Sequence, residues 1–215
     1  GDGGELSTVE VQALLDDGRA NPTDPSIRAF QIVGSPAICK LLVIDGRADP
    51  SLGGTLLFRK IINYWDDPDL LKLILDDGRA DPSQNNSISL FYALETERPE
   101  FIHYLLENMN VDPNVNNGEL LKRAIRSHRA WFVVELLKDR RVDPGANSSE
   151  YIIIAIESRS VPILKLLLND KRANPADTAG AAMRLADSMI GGTEYRRLME
   201  EDQRERRPEF RQYRG

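Results

Sequence analysis

Pairs of apolar residues recur along the chain at nearly constant intervals, and a second apolar pair stands four residues before most of them. The later pairs are Leu14-Leu15, Leu42-Val43, Ile74-Leu75, Leu105-Leu106, Leu136-Leu137 and Leu167-Leu168. The earlier pairs are Ile38-Cys39, Leu70-Leu71, Phe101-Ile102, Phe132-Val133 and Ile163-Leu164. A four-residue step places both pairs on one face of an α-helix. The pattern therefore predicts a series of similar helices, each with one buried stripe.

A short polar phrase that contains an Asp-Pro or Asn-Pro pair follows each later pair. It is complete at residues 45–51 and again at 77–83, both Asp-Gly-Arg-Ala-Asp-Pro-Ser. We name the six phrases the anchor turns; they end at Pro22, Pro50, Pro82, Pro113, Pro144 and Pro175, with intervals of 28, 32, 31, 31 and 31 residues. Such regular spacing is typical of repeat proteins, whose units pack only on their neighbours. We therefore predict one repeat domain over residues 1–201 and a charged tail over 202–215.

Each repeat is predicted to contain two helices. The first lies eight to twelve residues past its anchor. It has one core column at Phe58, Leu90, Leu121, Ile152 and Met183, and a mostly alanine column at Ile61, Ala93, Ala124, Ala155 and Ala186. In the shorter first unit, Ile27 and Phe30 are the counterparts. Small residues on a helix face indicate that neighbouring helices approach closely there.

The second helix of each repeat begins near a proline, because proline is tolerated in the first turn. These prolines are Pro36, Pro68, Pro99 and Pro162, with Ser35 and Asp67 as expected N-caps. At the ends of the array we predict a lone opening helix at 7–16 and a closing pair at 181–190 and 193–201.

Composition limits the class of protein. Hydrophobic residues make up 41% and charged residues 29% of the 215, and no apolar run approaches the roughly 18 residues of a membrane-spanning helix. The net charge is -6, and because residues 176–215 contain equal numbers of basic and acidic residues, the acidic surplus lies in the repeats. An acidic array is a poor binder of nucleic acid. The single cysteine, Cys39, excludes an intramolecular disulfide and indicates a reducing, intracellular compartment.

Paired antiparallel helices, a small-residue column, a Leu-Leu ending and a following Asp-Pro or Asn-Pro turn resemble ankyrin repeats from about Ser7 to about Glu201. The phrase Asp-x-Arg-x-Asp-Pro resembles the variant common in protists and in the large DNA viruses that infect them. The chain departs from the pattern where Thr-Pro-Leu-His is missing and where Glu97, His128 and Arg159 replace the usual glycine. The resemblance implies an all-α, ankyrin-like solenoid of stacked antiparallel helix pairs. It also implies a cytoplasmic protein, in the host cytoplasm if the chain is viral.

An arginine column runs through the anchor turns, at Arg19, Arg47, Arg79, Arg141 and Arg172. It allows two interpretations: a series of sites for phosphate or carboxylate, or structural pairing with Asp or Asn residues of the same and adjacent turns, such as Asp45, Asp49, Asp77 and Asp81. Carboxylates recur beside every arginine, which favours the structural interpretation. Asn110 interrupts the column, so we predict lower hydrogen-exchange protection at that turn.

The residue before each anchor proline is Asp or Asn, which is typical of a side chain that caps the local backbone. The aspartates among these residues are Asp49, Asp81, Asp112 and Asp143. Their spacing does not match a calcium loop. Cys39 lies in an apolar column, and His103 and His128 occupy non-equivalent repeat positions. We therefore expect no catalytic residues, no cofactor and no metal.

The resemblance implies a concave groove that binds a partner protein through the turns and the exposed side of the first helices. Position by position, the groove would be lined by Lys60, Tyr92, Arg123 and Ile154, and one turn on by Asn63, Glu95, Arg126 and Glu157. Tyr92, Arg123, Arg126 and Ile154 are the leading candidates, since Tyr and Arg dominate many interfaces. The alternative is that all of them are simply solvated.

The function expected is therefore a monomeric, non-catalytic protein-interaction module with an unidentified protein partner and without nucleic acid or membrane contacts. One alternative is an adaptor that recruits substrates to a ubiquitin ligase, as viral ankyrin proteins often do. A second alternative is a structural or assembly protein whose residues 202–214 dock on another copy.

Overall fold

The structure, a computed structural model, describes residues 7–18, 21–23 and 29–207, and every regular element in these ranges is a helix. The chain divides into two compact units, unit 1 (Gly1–Asp112) and unit 2 (Pro113–Gly215). None of the helices within the described ranges has both the length and the apolar content needed to cross a membrane.

Unit 1 contains two series of helices. Its elements are α1 (Thr8–Asp17), α2 (Ala29–Ile32), α3 (Pro36–Asp45), a 3-10 helix (Pro50–Gly53), α4 (Gly54–Arg59), a π-helix (Lys60–Tyr64), α5 (Pro68–Asp77), α6 (Gln84–Glu95) and α7 (Pro99–Glu107). The series α1, α3, α5, α7 packs in that order, and so does the series α2, α4, α6. The π-helix contacts α5, and α6 packs on α7, so the two series lie against each other.

Unit 2 repeats this arrangement. Its elements are α8 (Val115–Arg126), α9 (Ala130–Lys138), α10 (Ala146–Glu157), α11 (Val161–Asp170), a 3-10 helix (Pro175–Thr178), α12 (Ala181–Ser188) and α13 (Thr193–Arg206). The helices α8, α10 and α12 pack in sequence, as do α9, α11 and α13. Contacts of α8 with α9, α10 with α11, and α12 with α13 join the two series.

The predicted core columns are confirmed. Exposure is at most 1% for Phe58, Leu90, Leu121, Ile152, Ile61, Ala93, Ala124, Ala155 and Ala186. Phe30 is also buried, whereas Met183 is half-buried and Ile27 lies outside the described residues. The alanine positions are buried, as expected where neighbouring first helices approach closely.

Proline begins the second helices as predicted. Pro36, Pro68 and Pro99 are the first residues of α3, α5 and α7, and Pro162 is the second residue of α11. Asp67 caps α5, where its Oδ1 accepts a hydrogen bond from the Leu70 amide at 2.9 Å. Ser35 occupies the N-cap position of α3, but its side chain makes no capping hydrogen bond.

The last helix is longer than predicted. It continues past Glu201 to Arg206, and Asp202 is only 4% exposed. The predicted boundary of the tail at residue 202 is therefore wrong, because this segment packs as helix. Residues 208–215 of the predicted tail lie outside the described residues.

A π-helix in unit 1 explains the one interval of 32 residues. Within Lys60–Tyr64 the helix widens, and the Trp65 amide donates to the Lys60 carbonyl oxygen, five residues back, at 2.8 Å. A π-helical turn accommodates one additional residue inside an α-helix. The repeat from Pro50 to Pro82 thus keeps its anchor turns although it is one residue longer than those that follow.

The first helices α6, α8 and α10 each open with a left-handed turn that sequence analysis missed. Three consecutive residues have φ between 51° and 74° in each: Asn85-Asn86-Ser87, Asn116-Asn117-Gly118 and Asn147-Ser148-Ser149. Left-handed geometry costs most L-residues about 1–2 kcal/mol each, and Gly and Asn tolerate it best. The available signal was these three triplets of Asn, Ser and Gly at equivalent positions.

Buried serines tie two of these turns to the next anchor turn. Ser87 Oγ accepts a hydrogen bond from the Asp112 amide at 3.0 Å in unit 1. Ser149 Oγ accepts one from the Asn174 amide at 2.9 Å in unit 2. Both serines are at most 2% exposed, so the left-handed backbone directs a hydroxyl into the interior to pair with a backbone N–H.

Candidate interaction surface

The arginine column is a structural element. Four of its members donate hydrogen bonds from two guanidinium nitrogens to the aspartate two residues earlier, at distances of 2.6–3.1 Å. They are Arg47, Arg79, Arg141 and Arg172. A planar guanidinium matches a carboxylate in this two-point geometry. The predicted pairing within a turn is confirmed for these four arginines, and Arg19 lies outside the described residues.

Between adjacent turns, backbone carbonyls take the place that aspartates were expected to occupy. Arg79 Nη1 donates to the carbonyl oxygens of Gly46 and Ala48, both at 2.9 Å. Arg47 reaches the carbonyl oxygen of Leu15 at 2.8 Å. The cross-turn hydrogen bonds of these two arginines therefore go to backbone carbonyls, while the charge of Asp49 in the preceding turn helps to raise the pKa of Arg79.

The same cross-turn contact recurs in unit 2, where Arg172 donates to the carbonyl oxygens of Val142 at 2.6 Å and Leu137 at 2.7 Å. Helix ends and turns leave carbonyl groups without helical partners, and these arginines supply the missing donors. The arginine column thus holds successive turns in register.

Aspartates before the anchor prolines cap the turn, as predicted. Asp49, Asp81 and Asp143 accept a hydrogen bond from the amide two residues later, each at 2.9 Å. Asn21 and Asn174 do the same at 3.1 Å. Where the arginine column is interrupted, the Asn110 amide donates to Asn108 Oδ1 at 3.0 Å, and the lower protection predicted there stays a prediction.

A sixth arginine, in α13, ends the series. Arg206 donates to the carbonyl oxygens of Lys171 and Ala173 and pairs with the buried Asp202 one helical turn earlier. Lys171 Nζ contacts the other oxygen of Asp202 at 2.6 Å. Sequence analysis missed this role because Arg206 follows no anchor phrase.

The pairs change the acidity of the aspartates. Hydrogen bonds from Arg79 lower the pKa of Asp77 below its ordinary value of 3.8, and those from Arg47 lower the pKa of Asp45. Partial burial acts to raise the pKa of Asp139, but the hydrogen bonds from Arg141 outweigh it and the pKa falls. These carboxylates are therefore ionised at neutral pH.

Two of the predicted partner-binding residues are less accessible than expected. Ile154 is 3% exposed, because α10 is covered by α8, α11 and α12. Lys60 donates to the carbonyl oxygens of Gln31 at 2.6 Å and Val33 at 2.8 Å, next to the end of α2. The expectation that Ile154 is exposed is wrong, whereas Lys60 is half-buried and its ammonium group is hydrogen-bonded.

Unit 1 keeps Tyr92 and Glu95 at its surface, with Tyr92 half-buried and Glu95 exposed. Glu95 Oε2 accepts a hydrogen bond from Asn63 Nδ2 of the preceding repeat at 3.1 Å. Asn63 and Glu95 line a groove of about 450 Å³ at the ends of the first helices, together with Ile62, Asp66, Thr96, Glu97 and Arg98. An ion pair of 3.0 Å between Arg98 and Asp66 crosses the same groove.

Unit 2 keeps Arg123, Arg126 and Glu157 at its surface, all three exposed. Arg126 lies 3.8 Å from Glu119, at the long limit of an ion pair. Beside them Lys122 pairs with Glu150 of the next repeat at 2.9 Å, and its side chain is only 12% exposed. The exposed surface of α8 therefore includes Arg123 and Arg126 beside the partly exposed Glu119.

The cysteine and the two histidines do not form a reactive centre among the described residues. Cys39 is fully buried, and burial raises the pKa of its thiol to about 12. His103 lies beside Glu107 at 3.3 Å on α7, remote in sequence from His128. Across the described ranges, no three His, Cys, Asp or Glu side chains form a group that could hold a metal ion.

No family model, curated protein or solved structure matches this chain. The described residues therefore define the protein by its architecture alone. It is an all-helical protein in which a turn with an Arg–Asp pair recurs.

Proposed function

We propose that the chain is an ankyrin-like stack of helix pairs that binds a partner protein through the exposed side of its first helices and has no catalytic role. This proposal is supported mainly by a contrast between two neighbouring columns of the first helices: one is buried and constant, and the other is exposed and variable. Ala93, Ala124 and Ala155 are completely buried and identical. Two residues after Ala93 stands Glu95, and two after the other alanines stand Arg126 and Glu157, all exposed.

A constant core with a variable exposed face is what recognition of an irregular protein surface requires. The core columns and the Arg–Asp turns fix the positions of the first helices. The exposed residues are then free to differ in charge and size from one repeat to the next. Tyr92 and Glu95 in unit 1, and Arg123, Arg126 and Glu157 in unit 2, are the residues assigned to partner binding.

The surroundings of the chemically reactive and charged side chains also favour binding over catalysis. Cys39 and the arginine column are occupied by packing and hydrogen bonds that stabilise the repeats. The groove beside Glu95 is open, and its charged residues include the mutually paired Asp66 and Arg98. A surface of this kind suits contact with another polypeptide better than enclosure of a small substrate.

Affinity capture with two matched variants tests the proposal. Tyr92→Ala/Arg123→Glu removes one candidate from each unit, and Tyr104→Ala/Arg140→Glu makes the same substitutions outside the assigned residues. Partners captured by the unmodified chain and by the control, but lost by the first variant, would support the assignment. Equal capture by all three proteins, each shown by circular dichroism to be folded, would contradict it.

The same capture addresses the adaptor alternative, because an adaptor would retain subunits of a ubiquitin ligase. Assembly through the tail is separable by sedimentation. Asp202 and Arg206 are engaged within unit 2, so assembly would depend on residues 208–214. A monomer that is unchanged by deletion of 208–215 over a range of concentrations would exclude self-assembly by that route.

A further inference from the structure

Two adjacent aromatic residues lie at the surface of unit 1 where the π-helix ends. Tyr64 is 69% exposed, and Trp65 is half-buried. Counted back from the following anchor proline, Tyr64 is the counterpart of the exposed residues Glu95, Arg126 and Glu157. Tyr64 therefore belongs to the exposed and variable column of the first helices. Sequence analysis missed it because one additional residue in the π-helix separates this count from the count that starts at the preceding proline.

A cation lies near each of the two rings. The Arg59 guanidinium carbon is 5.7 Å from the centroid of the Tyr64 ring, and Lys60 Nζ is 5.9 Å from that of Trp65. Both distances are within the range of a cation–π contact. The carbonyl oxygens on either side of Ile32, which is 67% exposed, bind the Lys60 ammonium. These contacts connect Ile32, Arg59, Tyr64 and Trp65, which we name the aromatic surface.

The side-chain polar groups of the aromatic surface are hydrogen-bond donors. Within the described ranges, the Tyr64 hydroxyl, the Trp65 indole N–H and the Arg59 guanidinium make no hydrogen bond, and Arg59 makes no ion pair. An indole N–H and a guanidinium donate but cannot accept, whereas a hydroxyl does both. The aromatic surface thus combines exposed apolar area with three donor groups that have no protein acceptor.

The two carboxylates that follow Trp65 in the chain are engaged elsewhere. Asp66 pairs with Arg98 at 3.0 Å, and Asp67 pairs with Lys40 at 2.7 Å. Acceptors for the donors of the aromatic surface are therefore left to solvent or to a ligand.

A proline-rich segment has the complementary chemistry. Proline has no backbone N–H, so such a segment offers carbonyl acceptors without the matching donors. In the polyproline II conformation these carbonyls make no internal hydrogen bonds and stay exposed beside apolar rings. An α-helical ligand, by contrast, uses most of its carbonyl groups internally. Docking of proline-rich segments on aromatic side chains is also a recurrent mode of peptide recognition, because the extended conformation is already formed before binding.

We propose that the aromatic surface of unit 1 binds an extended, proline-rich segment of a partner polypeptide. This inference rests on the proposed function and specifies the chemical class of the partner. Proline rings pack on Ile32, Tyr64 and Trp65. Carbonyl oxygens of the segment accept hydrogen bonds from the hydroxyl, the indole N–H and the guanidinium of Arg59.

Fluorescence anisotropy with the full chain tests the proposal. The probe is a fluorescein-labelled peptide of ten prolines, and the reference peptide of equal length alternates Gly and Ser. We expect binding of the proline peptide alone, and at least about tenfold weaker binding by Tyr64→Ala/Trp65→Ala. Tyr104→Ala/Trp131→Ala removes the same two side chains from half-buried positions on α7 and α9 and should change the affinity by less than about twofold. Circular dichroism establishes that each variant is folded.

Two further measurements keep the aromatic rings in place. Tyr64→Phe/Trp65→Phe removes the hydroxyl and the indole N–H, and should weaken binding of the proline peptide roughly fivefold. The chain has two tryptophans, so Trp131→Phe leaves Trp65 as the single source of tryptophan emission. This emission should shift to shorter wavelength when the proline peptide displaces water from the indole.

Equal binding of the proline and Gly-Ser peptides would overturn the proposal. It would also fail if binding left the Trp65 emission unchanged, if Tyr64→Phe/Trp65→Phe bound as tightly as the unmodified chain, or if Tyr104→Ala/Trp131→Ala weakened binding equally. Displacement of the proline peptide by an amphipathic helical peptide that binds more tightly would assign the surface to a helix. If Tyr64→Ala/Trp65→Ala loses a captured partner although the proline peptide does not bind, the partner class is wrong while the proposed function stands.

Discussion

Arg206 in the last helix makes the same backbone contacts that Arg79 makes in an internal repeat. Arg79 donates to the carbonyl oxygens of the second and fourth residues of the preceding anchor turn, Gly46 and Ala48. Arg206 donates to those of the corresponding residues Lys171 and Ala173. The carboxylate partner comes from one helical turn earlier instead of two residues earlier, so a helix reproduces the donor geometry of a turn.

Arg206→Ala should lower the free energy of unfolding of the full chain by about 2–4 kcal/mol, because it leaves Asp202 buried with Lys171 as its remaining partner. Arg204→Ala is the control, since that side chain is 64% exposed, and it should change stability by less than about 0.5 kcal/mol. Urea denaturation followed by circular dichroism measures both. Similar effects of the two substitutions would show that Arg206 has no special role at this end.

The Arg–Asp turns should make stability depend on pH in acid. Hydrogen bonds from Arg79 depress the pKa of Asp77 in the folded state, so the pair stabilises the fold above the unfolded pKa of about 3.8. Its contribution is lost as pH falls through the lower, folded value. Arg79→Ala should therefore be less stable than the unmodified chain at pH 7, by about 1–2 kcal/mol, with a smaller difference near pH 2. If the difference in stability between Arg79→Ala and the unmodified chain is the same at both pH values, the loss of stability comes from packing alone.

Gly118 cannot accept a side chain because Tyr151 occupies the space. A Cβ at residue 118 would lie 1.9 Å from the Tyr151 hydroxyl oxygen, and φ is 74° there. Gly118→Ala should cost about 2–4 kcal/mol in urea denaturation, and the added substitution Tyr151→Phe should recover part of this. Asn117→Gly, in the same left-handed turn, is the control and should be neutral or slightly stabilising. If Tyr151→Phe restores none of the lost stability, the whole cost of Gly118→Ala comes from backbone strain.

Cys39 should react only when the protein unfolds. Its side chain is fully buried, and burial raises the pKa of the thiol to about 12, so the thiolate is scarce at pH 8. Labelling by a thiol reagent in increasing urea should follow the loss of helix measured by circular dichroism. Rapid labelling without denaturant would contradict the core position and indicate local opening of α3.

The sequence predicts the interior of this protein better than its surface. Burial of Ala93 and Ala124 follows from helical periodicity, and the pairing of Arg79 with Asp77 follows from opposite charges two residues apart. Ile154 was misassigned because periodicity reveals a helix face but not how many neighbours cover it. The hydrogen bonds of Lys60 could not be predicted because its partners are carbonyl groups, which every residue has and no sequence pattern distinguishes.

The left-handed turns show a different limit. By itself Asn147-Ser148-Ser149 reads as an ordinary polar connection, and only its equivalence with the triplets at 85–87 and 116–118 indicates that three successive residues share one strained geometry. The hydrogen bond from the Asn174 amide to Ser149 Oγ spans 25 residues and depends on stacking of whole repeats. Such long-range pairing is set by tertiary structure, which local propensity does not encode.

The π-helix at Lys60–Tyr64 separates the parts of the chain whose length is fixed from the part whose length can vary. Each anchor turn must supply its arginine and carbonyls at set positions, so an inserted residue there would break contacts with the next turn. The middle of a first helix absorbs an insertion by widening once, and the following turn still pairs through Arg79 and Asp77. A repeat can therefore gain a residue there and still make the same contacts with its neighbours as a repeat of standard length.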